Sequence, residues 1–148
     1  MVWKCQCECG NIHYASLSNL KSGSVSRCPD CFLRSKGEEK IKEILDFNNI
    51  PYELEKTFNT CLTNKNRLCR FDFYVDNKYL IEFDGLQHFK ATNGWNTQEH
   101  FIQIQENDEI KNQWCKNNNI PLIRIPYYIL EFLELKDLQL ESTQYLIY

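Results

Sequence analysis

The period of apolar positions changes along the chain and predicts both helices and strands. After Ser35, which can act as an N-cap, Ile41, Ile44 and Leu45 recur at helical spacing and form one stripe. Residues 69–75 instead alternate strictly, with apolar side chains on one side and polar ones on the other. The first pattern indicates an amphipathic helix and the second a half-buried strand.

The same reasoning covers the rest of the chain after position 35. It predicts helices at 35–50, at 99–118 and from 130 onward, and strands at 52–58, 69–75, 79–85 and 121–127. Polar stretches at 59–68 and 89–98 are predicted to be loops. The predicted order is helix, three strands, helix, strand, helix (αβββαβα). This is an α/β (α+β) domain whose mixed sheet is covered by helices.

Cysteines dominate the N-terminal segment, since five of the eight fall within residues 1–31. No apolar export signal precedes them, and clustered cysteines in a reducing compartment bind metal more often than they form disulfides. Gly10 directly follows the close pair Cys7 and Cys9 and permits the tight turn of a metal knuckle. Cys5 could replace either cysteine of that pair. Residues 1–34 are therefore predicted to fold around one structural zinc ion. The predicted ligands are Cys7, Cys9, Cys28 and Cys31.

Charge is unevenly distributed around a net value of −3. Residues 1–36 carry five basic and two acidic side chains, whereas the remainder carries twelve and eighteen. A basic N-terminal segment suits contact with phosphate, and an acidic remainder of the chain suits cation binding. A charge difference of this size could also serve only to keep the protein in solution. No apolar run is long enough for a membrane span. We expect an intracellular, cytoplasmic protein with no membrane partner.

Two carboxylates are predicted to face each other in a hairpin. If residues 76–78 form a three-residue loop, Val75 pairs with Tyr79 and Asp72 lies opposite Glu82. Like charges in that arrangement are destabilising unless they are exposed to solvent or a cation lies between them. Clustered oxygen ligands suit Mg²⁺ or Mn²⁺. Asp72 and Glu82 are therefore predicted magnesium ligands.

Further polar side chains could join this pair. Glu38 and Asp108 occupy stripes that are otherwise core-facing. Glu38 could equally be only the capping partner of Ser35, and Asp108 could form a helix-surface ion pair with Lys111. His88 is a candidate general acid or base, although a lone histidine can also be structural.

Several spaced motifs together resemble a known nuclease group. S-x-G-E occupies residues 35–38, R-x-D-F 70–73, I-E-x-D-G-x-Q-H-F 81–89, D-x-I-K-N-x-x-C 108–115 and I-P-L-I-R-I-P 120–126. Over residues 35–127 the chain is similar to the very-short-patch-repair-like branch of the PD-(D/E)xK superfamily, which includes homing endonucleases with a Glu-Asp-x-His-Asp site. The N-terminal cysteine pattern resembles small treble-clef-like zinc modules found beside such nucleases.

This resemblance implies a restriction-endonuclease-like sheet and a Mg²⁺- or Mn²⁺-dependent endonuclease acting on double-stranded DNA. It implies that Asp72 is the principal metal ligand and that His88 transfers protons. It also implies that Glu38 and Asp108 position water or support the histidine. The lysine expected two residues after Glu82 is replaced by Asp84, and Gln87, His88 or Lys111 could take its role. The implied catalytic residues are Glu38, Asp72, Glu82, Gln87, His88 and Asp108.

Two other functions stay open from the sequence. One is a nucleic-acid-binding protein without catalysis on the same fold, and the other is an RNA nuclease. The chain could act as a monomer or as a weak dimer.

Overall fold

A computed structural model describes residues 1–6, 12–21, 35–91 and 98–148. The chain divides into two compact units, Met1–Glu39 and Lys40–Tyr148. Within the described ranges, no helix is long and apolar enough to cross a membrane.

The first unit contains an antiparallel hairpin of β1 (Val2–Gln6) and β2 (Ile12–Ser16), followed by the short helix α1 (Leu17–Lys21). The predicted zinc ligands Cys7, Cys9, Cys28 and Cys31 lie outside the described residues.

The second unit is a four-stranded sheet with helices, so the predicted mixed α+β class is confirmed. Its strands follow the order β3-β4-β5-β6, with antiparallel pairing except between β5 and β6, which are parallel. The unit boundary falls within the first of its helices. The helices and strands are α2 (Lys36–Phe47), β3 (Tyr52–Leu62), β4 (Leu68–Val75), β5 (Tyr79–Asp84), α3 (Gln98–Asn117) and β6 (Leu122–Pro126), with 3₁₀ helices at Leu86–His88, Tyr127–Phe132 and Leu135–Leu138.

The hairpin between β4 and β5 has the register expected from the loop length. Val75 pairs with Tyr79, and the turn uses Asp76 and Asn77 at positive φ, where Asp and Asn are tolerated better than most residues. The alternating apolar residues of β4 are all buried, and β5 and β6 are buried almost throughout. Strands β4 and β5, at the centre of the sheet, carry polar side chains of the candidate site described below.

Two buried clusters hold the unit together. Helix α2 contributes Ile41 and Leu45 to one cluster, where they lie with Phe73. Helix α3 contributes Cys115 to the other, which also contains Phe71. Each helix is therefore fixed by its apolar side chains, and α3 presents its polar side chains to the same strands.

Strand β3 is longer than predicted, and the predicted loop at 59–68 is correspondingly shorter. Phe58 packs against Trp114 of α3, and the indole Nε1 of Trp114 donates to the hydroxyl oxygen of Thr60 at 3.0 Å. Strand β3 reaches Leu62 because Leu62 pairs with Leu68 of β4, and the contact with α3, which local polarity could not predict, supports this extension.

The prediction of a final α-helix from Leu130 is wrong. The segment forms two short 3₁₀ helices, and the end of the chain then runs along β6. The amide of Leu122 donates to the carbonyl of Tyr148, and the amide of Ile147 donates to the carbonyl of Leu122, both at 2.8 Å. The tail thus satisfies backbone groups of the β6 edge, which a helix would leave uncovered.

Candidate active site

The carboxylates of Asp72 and Glu82 lie where backbone pairing of β4 and β5 gives way to side-chain contacts. The paired positions extend to Phe73 and Ile81. One position further, the amide of Asp72 donates to Oε1 of Glu82 at 3.1 Å, and the amide of Phe83 donates to Oδ2 of Asp72 at 2.8 Å. Each carboxylate accepts a hydrogen bond from the opposite strand, which offsets part of their mutual repulsion.

Glu82 also forms a buried ion pair with Lys111 from α3. The distance from Nζ to Oε2 is 2.8 Å, and the two side chains are 14% and 4% exposed. Burial lowers the pKa of Lys111, but the charge and hydrogen bond of Glu82 outweigh it and hold that pKa above its ordinary value. Lys111 therefore stays protonated, and both oxygens of Glu82 accept from N–H donors.

A second polar group joins Asp84, His88 and Asp108 from three elements. Asp84 ends β5, His88 lies in the 3₁₀ helix that follows, and Asp108 lies on α3. The imidazole Nδ1 is 2.7 Å from Oδ2 of Asp108 and 3.7 Å from Oδ1 of Asp84. One ligand atom from each residue lies within 4.8 Å of the others. In the part of the chain that the structure describes, this is the group whose spacing suits a metal ion.

The guanidinium of Arg124, from β6, connects the two carboxylates of this group. Its Nη1 donates to Oδ1 of Asp84 at 2.6 Å, and its Nη2 donates to Oδ1 of Asp108 at 3.2 Å. Its Nε donates to Oδ1 of Asn112 at 2.9 Å, and the side chain is 7% exposed. Sequence reasoning missed Arg124, although a charge inside the apolar segment 120–126 was a usable signal.

The two carboxylates bonded to Arg124 have opposite pKa shifts. Burial raises the pKa of Asp84, and the opposing charge of Arg124 does not cancel it. Burial also acts to raise the pKa of Asp108, but the hydrogen bond from His88 and the charge of Arg124 bring it below its ordinary value. Asp108 is therefore ionised near neutral pH and is placed to accept a hydrogen bond from Nδ1 of His88. In the tautomer with its proton on Nδ1, Nε2 has a lone pair that can accept a proton.

Glu38 and Gln87 are the two remaining predicted site residues. Glu38 lies in the first turn of α2, where its amide donates to the hydroxyl of Ser35 at 3.2 Å and that hydroxyl donates to its Oε1 at 3.1 Å. The first bond is the N-cap half of the capping alternative, and the side chain of Glu38 accepts from the Ser35 hydroxyl rather than from its backbone amide. Glu38 belongs to the first unit. Gln87 is exposed, and its carboxamide occupies the space that a Cβ atom at Gly85 would need.

The donor groups differ in how well they fit a divalent cation. Glu82, a predicted magnesium ligand, has both oxygens engaged by N–H donors. Asp84, Asp108 and His88 offer carboxylate oxygens and one imidazole nitrogen, a combination that suits Mn²⁺ and, through its oxygens, Mg²⁺. Arg124 contacts the same carboxylates, so a bound cation would share them with the guanidinium.

Comparison with known proteins gives one partial match. No family model and no solved structure matches the chain. A relative described as "Uncharacterized protein 307L", from Invertebrate iridescent virus 6, is 32% identical over 85 residues. The matched region is 56% of this chain and 43% of the relative, so the chain spans less than half the length of that relative.

Asp84 and Asp108 are expected to affect acid stability with opposite signs. Because the pKa of Asp108 is lowered on folding, its ionised form contributes stability that is lost as pH falls through that pKa. Asp84 has a raised pKa, so its contribution is largest at low pH and declines as pH rises. Between about pH 5 and pH 2, the free energy of unfolding should fall less in Asp108→Asn than in wild type and more in Asp84→Asn. Urea titrations at several pH values measure this, and parallel slopes in all three proteins would contradict the assignment.

Proposed function

We propose that the chain is a metal-dependent endonuclease that hydrolyses phosphodiester bonds of double-stranded DNA with Mg²⁺ or Mn²⁺. The observation that carries the proposal is the hydrogen-bonded pair of His88 and Asp108 beside Asp84. A histidine held by an ionised carboxylate, with a second carboxylate 3.7 Å away, combines a proton acceptor with ligands for a cation.

The roles of the residues follow from their contacts. Asp72, the principal ligand that the resemblance implies, would hold the cation together with Asp84 and Asp108. When bound, such an ion polarises a phosphate and lowers the pKa of its water. His88 would accept at Nε2 the proton of the water that attacks the phosphorus, and would give it to the leaving oxygen as the P–O bond breaks. Asp108 keeps the imidazole in the required tautomer.

Lys111 supplies the positive charge that the resemblance expects from a different position. Asp84 stands where a PD-(D/E)xK lysine is expected, and Lys111 brings its ammonium to Glu82 from α3. The raised pKa keeps this group charged, so it can stabilise negative charge that develops on a phosphate. Glu82 is then the residue that positions Lys111.

The remaining parts of the proposal rest on the sequence motifs and on compatible topology. A helix before three antiparallel strands, and a helix between β5 and the parallel strand β6, are compatible with a restriction-endonuclease-like core. We propose a zinc-binding N-terminal module whose basic side chains contact DNA phosphates, and an intracellular location. Glu38 and Gln87 remain proposed site residues.

Cleavage of supercoiled plasmid tests the enzyme proposal. With Mg²⁺ or Mn²⁺, wild type is expected to convert the plasmid into nicked or linear forms, and EDTA should stop the reaction. Asp72→Asn keeps the shape of the side chain but removes its charge, and should abolish cleavage. Glu53→Gln, at an exposed residue of β3, is the matched control and should cleave as wild type does.

Equal cleavage by wild type and Asp72→Asn would defeat the proposal, because a contaminating nuclease would then explain the activity. Binding of the plasmid without cleavage would favour the nucleic-acid-binding alternative. The same assay on a structured RNA separates the RNA nuclease alternative, which predicts loss of RNA while DNA stays intact.

A further inference from the structure

The imidazole of His13 lies buried in the β1–β2 hairpin. The side chain is 8% exposed, and neither Nδ1 nor Nε2 has a partner among the described residues. Buried polar atoms in folded proteins are nearly always paired, and an imidazole must present at least one donor and one acceptor. Two unsatisfied ring nitrogens on one residue therefore call for a ligand.

Cys5 lies directly opposite His13 in the hairpin. The register pairs Cys5 with His13 and Trp3 with Ala15. Residues paired in an antiparallel ladder point to the same side, with Cβ atoms about 4.5–5.5 Å apart. The thiol of Cys5 donates to the carbonyl of Trp3 at 3.4 Å, which is a long contact. The register thus places a thiol and an imidazole on the same side of the hairpin, and the imidazole has no hydrogen-bond partner among the described residues.

We propose that Cys5 and His13 are ligands of the same zinc ion in the first unit, which makes that site a mixed sulfur–nitrogen site. With bond lengths of about 2.3 Å to sulfur and 2.0–2.1 Å to nitrogen, a tetrahedral ion brings the two ligand atoms to roughly 3.5 Å apart. Directly opposed side chains of a hairpin can reach that separation. Thiolate and imidazole select Zn²⁺ over Mg²⁺, and binding releases the thiol proton of Cys5 to solvent.

The proposal changes the four-cysteine prediction made from the sequence. Cys5 becomes a ligand rather than a reserve, and His13, which the cysteine pattern could not reveal, takes one of the positions. The remaining ligands are not assigned. The inference does not depend on the nuclease proposal, because it concerns a different unit and its test reads the metal directly.

X-ray absorption at the zinc edge of the purified full chain, with elemental analysis, tests this site. We expect about one zinc per chain and a shell that contains at least one imidazole nitrogen together with sulfur. The other two histidines, His88 and His100, provide matched controls. The imidazole contribution should persist in His88→Asn and His100→Asn and disappear in His13→Asn. An all-sulfur shell in wild type, or protein without zinc, would overturn the proposal.

A second variant covers the case in which His13→Asn does not fold. His13→Cys keeps a ligand at the position, so it should retain one zinc while its shell becomes sulfur-rich and loses the imidazole contribution. Substituting Co²⁺ for zinc gives an independent reading, because the visible absorption of cobalt depends on the number of thiolate ligands. A nitrogen contribution that is unchanged in His13→Cys would show that His13 is not a ligand.

Discussion

Replacing His88 by alanine is expected to lower kcat for DNA cleavage by about 10²–10⁴-fold, the range for loss of a general acid–base residue. The imidazole is fixed by its 2.7 Å hydrogen bond to Asp108, and its side chain is largely buried without being part of the apolar core. Its removal should therefore leave the fold intact and the reaction without its proton acceptor. Single-turnover rates with saturating Mg²⁺ measure the chemical step.

The matched control is His100→Ala on α3, which should cleave at the wild-type rate. A wild-type rate in His88→Ala would remove the histidine from the mechanism, even if the metal requirement remained.

The hydrogen bond between His88 and Asp108 leads to a second prediction for the same reaction. Asp108→Asn offers no ionised acceptor to Nδ1, so the imidazole loses its preferred tautomer. Groups that act as one unit give non-additive losses. The double variant of His88→Ala with Asp108→Asn should therefore lose less than the product of the two single losses, because only the metal-binding share of Asp108 remains to be lost once His88 is absent. Losses that multiply fully would mean that Asp108 acts independently of His88, as a metal ligand alone.

The sequence was most informative where the local pattern and the fold agree. The alternation of β4 and the turn at residues 76–78 were enough to predict that Val75 pairs with Tyr79, and the structure has this pair. That register alone predicts that Asp72 and Glu82 lie opposite each other. Each of these carboxylates also accepts a hydrogen bond from a backbone amide of the opposite strand. Those bonds depend on where β4 and β5 separate, which no local pattern encodes.

The second polar group depends on contacts that link distant parts of the chain. The sequence pattern marks Asp108 as an acidic residue on a core-facing stripe, but its partners come from β6 and the 3₁₀ helix after β5. Arg124 lies in a strand that is otherwise apolar, so the pattern of that strand does not reveal its role. A buried charge inside such a strand requires a compensating charge elsewhere, and that requirement is the signal that could have pointed to Asp84.

In the final segment, the local pattern of apolar residues predicts a structure that the chain does not form. Apolar residues after Leu130 fit a helix, but the chain end forms backbone bonds with β6 instead, through Ile147 and Tyr148. Strand-edge pairing competes with helix formation in a way that the spacing of apolar residues does not register.

Replacing Arg124 by methionine should lower the free energy of unfolding by about 3–5 kcal/mol. This loss should exceed that of the other single substitutions proposed for this chain. Methionine approximates the length of the side chain but leaves Asp84 and Asp108 without the cation that separates them. The pKa of Asp84, already raised by burial, should rise further, because the charge of Arg124 opposes that shift. Urea unfolding at neutral pH measures the loss. Arg70→Met is the control, since Arg70 and Glu55 are 69% and 70% exposed and such pairs contribute about 1 kcal/mol or less.

A double variant identifies the origin of that loss. If Arg124→Met is destabilising because a buried carboxylate is left unpaired, adding Asp84→Asn should recover part of the stability, since a neutral amide is less costly to bury than a charge. The coupling between the two positions should then exceed about 0.5 kcal/mol in the double-mutant cycle. Additive losses would mean instead that Arg124 stabilises through packing and through Asn112. The cycle thus distinguishes stabilisation by charge from stabilisation by packing. Because Arg124 also contacts Asp108, an electrostatic origin of the loss would predict that Arg124→Met slows cleavage as well.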